Sequence, residues 1–263
     1  TTTSRCPTSR DIKQPRWTAI TSSSRNLLMA SGPDRLAPDH ISTVGAALPL
    51  LPIAATFGYY GLPDSFREQL LVQFAPQVLA YIALGLWATR TTQVTIQLGL
   101  EKEKIRRGLQ WGVLTGLFLG SLNTFVILAI YPHLGYDITF LKQTPHSRLP
   151  VLLMMPWLIC GIALFVEVNF RGFLLGRLAE LESHWRGTDS RPRPALLALA
   201  VSSLTFACDP FLVNTFQHLH WIAVWDGLIW GTIWLRTRNL WITIVAHAIE
   251  VIILYSAVRA TIG

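Results

Sequence analysis

The segment Val166–Leu178, VEVNFRGFLLGRL, decides how this chain is read. It closes an apolar run that begins near residue 150, yet it carries Glu167 and Arg171. Four residues apart, the two share one face of a helix and can form an ion pair along one turn. Charges inside an apolar span are costly, and those that occur are usually paired or functional. The segment therefore reads as the end of a membrane helix that keeps a polar site.

The rest of the chain agrees. Of its 263 residues 51% are hydrophobic and 14% charged, against about 25% charged in soluble domains. Mean hydropathy is +0.40. This excludes an ordinary soluble domain and indicates an all-α, polytopic membrane helix bundle in contact with the lipid bilayer. The net charge of +7 does not indicate nucleic acid, because no basic segment is interleaved with aromatics as a nucleic-acid surface requires. Cys6, Cys160 and Cys208 are odd in number and unpatterned. They suggest neither a disulfide framework nor a metal ribbon, and no cofactor or metal is expected.

Residues 1–40 are polar and basic and are expected to form a flexible cytoplasmic tail. Seven apolar segments follow, at about 41–60, 70–88, 109–131, 150–170, 195–213, 218–235 and 240–258, most of them near the ~20 residues that span a bilayer. Two of them form an N-terminal region, 41–94, ahead of a core over 95–263. Eighteen of the 22 Lys and Arg residues fall in the tail and in alternate loops, leaving Arg67, Lys142, Arg148 and Arg259 on the other side. The positive-inside rule then places the N-terminus in the cytoplasm and the C-terminus on the opposite side. Trp87, Trp111, Trp234 and Trp241 fall at the inner ends of spans, as an aromatic belt would.

Gly108, Gly112, Gly116 and Gly120 recur every four residues and make one smooth helix face. Such a face packs closely against another helix, within the bundle or across a dimer seam. Beyond residue 170 the helical periodicity continues to about 186. With Phe173, Leu174, Leu178, Leu181 and Trp185 toward lipid and Arg177, Glu180, Glu182 and His184 toward water, this stretch is expected to lie along the inner membrane surface as an amphipathic helix.

The ionisable residues placed in or beside spans are Glu167, Arg171, Asp209, Asp226, His247 and Glu250. Asp209, before Pro210, suits a helix end, and Asp226 suits a structural hydrogen bond. His218 and His220 form an H-x-H pair without a third ligand in sequence, which is a weak metal or pigment signal.

Three segments in order, VEVNFRGFL (166–174), SSLTFACDP (202–210) and GLIWGTIWLRTRNLWITIVAHA (227–248), with the lead-in LGLEKEKIRRGLQWG (98–112), resemble the CAAX protease and bacteriocin-processing family, also called the Abi family. The resemblance implies glutamate-dependent intramembrane endopeptidases with E-E-x-x-x-R, F-x-x-x-H and H-x-x-x-N motifs. In them the first Glu and first His activate a water, while the second His and the Asn hold the oxyanion. Mapped onto this chain, Glu167, Arg171, Phe206 and His247 match. Val166, Pro210 and Val251 stand where the first Glu, the first His and the Asn would be. On a regular helix Glu167 points about 100° away from position 166, so it is not expected to replace the missing base.

The reading that follows is a catalytically impaired family member, a binding or assembly module within a larger complex of integral membrane proteins. One alternative is an active endopeptidase with a site rebuilt from Glu167, Asp209, His247 and Glu250. Another is a transport or cofactor-binding protein using His218 and His220.

Overall fold

The computed structural model describes residues 47–148, 150–187 and 195–261. The expected tail over 1–40 lies outside them. Helices make up the architecture, and no strand occurs among the described residues. The first helix, α1, spans Leu50–Tyr59, and α2 spans Leu70–Ala88. The third, α3, spans Ile105–Phe125 and continues through a π-helical turn, Val126–Ile130, to His133. A continuous helical run over 151–185, α4, holds two π segments, Trp157–Leu164 and Val168–Leu175, and ends in the α-helix Gly176–Trp185. Then come α5 (Leu196–Ala207), α6 (Pro210–Phe216), α7 (Ile222–Thr237) and α8 (Leu240–Thr261).

Among the described residues three helices are long and apolar enough to cross a bilayer: α2, the stretch containing α3, and α8. The pair α5–α6, bent by 55°, makes a fourth if it is one broken span. Asp209 and Pro210 sit at that bend, since proline opens α6 and cannot continue α5. The other expected spans are less regular. The helix α1 has 10 residues, α7 has 16, and α4 is interrupted by π turns. The count of seven thus rests on apolar run length and charge alternation in the sequence.

The glycine face of α3 packs along α8 inside the chain. A Cβ on Gly116 would lie 2.7 Å from the Ala246 carbonyl oxygen, and one on Gly112 would lie 2.6 Å from Val245 Cβ. Gly108 abuts Trp241 and Gly120 abuts Glu250 in the same way. Of the two arrangements open to that face, packing within the bundle is the one observed. A second small-residue contact joins α7 to α5, with Gly227 on Ser203 and Gly231 on Leu199.

Two expectations are corrected. Trp87 and Trp234 are not belt residues, because both are buried in protein. Trp234 donates to the Leu98 carbonyl at 3.1 Å, and Trp241 donates to that of Glu101 at 3.3 Å. With the Leu240 N–H donating to the Gly99 carbonyl at 2.9 Å, they strap the 98–104 loop to the α7–α8 turn. Gly99, at φ +80°, is required there, since a Cβ would meet the Arg238 carbonyl oxygen at 2.7 Å. Trp111 does face outward, 51% exposed.

The expected surface helix is also different. Phe173, Leu174 and Leu178 are buried in the protein core rather than turned to lipid. Glu182, expected in water, is buried and accepts hydrogen bonds from the N–H groups of Ala198 (2.7 Å) and Leu197 (3.3 Å) at the start of α5. Four N–H groups at a helix start lack internal acceptors, and a carboxylate from outside satisfies two of them here. That demand pulls the end of α4 onto the bundle.

Candidate functional site

The site is built where α4, α5, α7 and α8 meet. Glu167 closes the short α-helical turn Phe165–Glu167 between the two π segments of α4. Each π turn takes an additional residue relative to an α turn and so changes which residues face inward. Glu167 is the residue that ends up inside, at 0% exposure, while Val166 packs against the apolar core. The 100° offset from position 166 holds for an unbroken α-helix, and here the π turns set the facing of Glu167 instead.

Inside, the Glu167 carboxylate meets two groups. Arg171 Nη1 lies 3.3 Å from Oε1, and His247 Nδ1 lies 2.9 Å from the same oxygen. A carboxylate accepts, so Nδ1 donates to it. Thr243, one turn before His247 on α8, is buried beside them. Apolar and aromatic groups shape the rest. The Arg171 guanidinium lies 4.4 Å over the Phe206 ring and 5.4 Å from that of Trp230. Trp230 in turn packs on His247, with ring centroids 4.7 Å apart. Arg171 is 2% exposed. A buried cation between two π faces and a carboxylate is held by charge and by quadrupole attraction together.

A second polar group lies beside the first. Asn123 of α3 donates through Nδ2 to Asp226 of α7 at 3.2 Å, and also to Glu250 of α8 in a short contact. Trp225 Nε1 donates to Asn123 Oδ1 at 3.1 Å. Both carboxylates are buried. One amide thereby ties three helices.

The structure brings together Glu167, Arg171, Phe206 and His247, and sets Glu250 in the adjoining group. Asp209 does not join them. It is buried at the α5–α6 bend, accepting from Leu212 N–H (3.1 Å) and from Gln77 Nε2 (2.9 Å). His218 is boxed by Tyr131, Tyr136 and Phe140, and His220 contacts the Gln217 carbonyl. Among the described residues no three His, Cys, Asp or Glu side chains are grouped to hold a metal. Sequence reasoning missed Asn123, Trp225 and Trp230. Asn123 had a signal: it continues the face of Gly116 and Gly120, the face turned to α8.

In comparison with known proteins, the family model described as type II CAAX prenyl endopeptidase Rce1-like matches residues 148–253. That segment holds Glu167, Arg171, Phe206, Trp230, His247 and Glu250. No curated protein and no solved structure matches the chain.

Proposed function

With residues 148–253 belonging to the type II CAAX prenyl endopeptidase Rce1-like family, we propose that this integral membrane protein is a catalytically impaired member. It keeps the family bundle as a binding or assembly module, a subunit of a larger membrane complex. The observation that carries the reading is the state of Glu167. The one carboxylate left at the first motif is held by Arg171 and His247 at 0% exposure. A general base must reach the proton it removes, and this one is sequestered. Val166, Pro210 and Val251 supply neither a base nor an oxyanion donor. Loss of one such donor alone costs about 100- to 1,000-fold.

The partners are other integral membrane proteins, and exposed apolar side chains on α2 offer a helix surface to them. The N-terminus is cytoplasmic and the C-terminus opposite, as the Lys and Arg distribution favours. The test combines native mass spectrometry of the gently purified protein with a cleavage assay on a prenylated CAAX peptide. Stoichiometric partner proteins and no cleavage above background are expected. Cleavage that disappears in both Glu167→Ala and His247→Ala would overturn the reading.

One observation favours a second reading, a rebuilt endopeptidase site. Glu167 at 2.9 Å from Nδ1 orients the His247 ring as a carboxylate does in a Ser-His-Asp triad, leaving Nε2 as the base. Under that reading the same assay gives cleavage with a pH profile that His247→Gln abolishes.

A further inference from the structure

The start of α3 carries cations that the fold does not use. Lys102, Arg106 and Arg107 are exposed, and none forms an ion pair or hydrogen bond among the described residues. Their neighbour Lys104, by contrast, is engaged by Glu101 at 2.7 Å and by the Arg238 carbonyl at 2.8 Å. Glu103 is the exposed acid on the same turn. From Arg107 one face of α3 runs Trp111, Leu114, Phe118, Ser121 and Phe125 at alternating spacings of four and three. This face lies away from the glycine face that packs on α8. All of these side chains are exposed, and Leu114, Leu117, Phe118, Ser121, Leu122 and Phe125 form an open, almost wholly apolar stripe on this one helix.

The dimensions are those of a lipid. At 1.5 Å per residue the stripe extends about 16 Å along the axis and begins about 10 Å beyond Arg107. Trp111 lies between the two, at the depth where an interfacial indole sits. The positive end of the α3 dipole adds to the side-chain charge. We propose that α3 binds an anionic phospholipid, its headgroup phosphate at Lys102, Arg106 and Arg107 and an acyl chain along the Leu114–Phe125 stripe. This inference is independent of whether the Glu167 site is active.

The test is native mass spectrometry of the full chain in detergent, titrated with short-chain phosphatidylglycerol or phosphatidylcholine. Phosphatidylglycerol should be retained at least tenfold better, and Arg106→Gln/Arg107→Gln should lower that preference on the order of tenfold. Lys142→Gln/Arg148→Gln, an equal change of charge beyond the far end of α3, should leave it intact. Leu114→Asn/Phe118→Asn, which makes the stripe polar and keeps the cations, should weaken phosphatidylglycerol retention. No preference in the wild-type chain would overturn the proposal. So would an equal loss in the Lys142/Arg148 variant, undiminished retention in Leu114→Asn/Phe118→Asn, or displacement of the lipid by inorganic phosphate.

Discussion

His247 Nδ1 lies 2.9 Å from Glu167 Oε1, although 80 residues separate them in the chain. The contact joins α8 to α4, and Arg171 Nη1 lies 3.3 Å from the same oxygen. Removing one member of such a set leaves an uncompensated buried charge. Arg171→Met should therefore lower stability by about 3–5 kcal/mol. The double variant Glu167→Leu/Arg171→Met should recover most of that loss. Chemical denaturation in detergent reads both, and additive losses would show that the pair is not coupled.

Close approach of α3 and α8 depends on the absence of a Cβ at Gly116, where one would meet backbone at 2.7 Å. Gly116→Ala should cost about 1–3 kcal/mol, and Gly116→Leu more. Gly85→Ala, on α2 where nothing lies within 4 Å, should be neutral or slightly stabilising. Thermal unfolding midpoints compare the three directly.

Glu182 serves α5 as a cap supplied by another element. Glu182→Ala leaves the Ala198 and Leu197 N–H groups without that acceptor and should cost about 1–2 kcal/mol. Glu182→Gln keeps an acceptor oxygen and should lose less. Hydrogen exchange at Ala198 should accelerate in the alanine variant and little elsewhere.

Asp209 plays the same part for α6 from within its own chain turn, and Gln77 braces it from α2 at 2.9 Å. Asp209→Ala should cost about 1–2 kcal/mol and Gln77→Leu less. Neither change should alter the environment of His247. A shift in the His247 ring resonances on Asp209→Ala would contradict the separation of the two sites.

Asp137, in the loop after α3, has its carboxyl held below the usual range by the Thr139 N–H and then by the Thr139 hydroxyl. A carboxyl lowered in the folded state adds stability above its unfolded pKa. That contribution is lost as pH falls through the folded value. The wild-type chain should thus lose stability on acidification more steeply than Asp137→Asn, as unfolding midpoints between neutral and acidic pH would show.

Much of this was legible in sequence, and the misses have one cause. Composition and apolar run length read out the helix bundle, because a bilayer demands long apolar helices whatever their packing. The pairing of Glu167 with Arg171 was visible because it is local, one helical turn. The belt assigned to Trp87 and Trp234 was wrong because amphipathic rings suit either an interface or a polar loop, and only the neighbouring chain decides which. The lipid face assigned to Phe173, Leu174 and Leu178 failed for a similar reason. Apolar character tells that a side chain leaves water, not whether lipid or protein receives it.

The sequence by itself determined the class of fold, the family segment and the close-packing face of α3, since each depends on residue type at fixed local spacing. Only the tertiary structure decided that Glu167 faces His247, that Asn123 joins Asp226 to Glu250, and that Asp209 stands apart from both. Those outcomes depend on the π turns of α4 and on which helix lies across from which. Helical register is altered by a single extra residue per turn, and partners across the bundle leave no periodic trace in the chain.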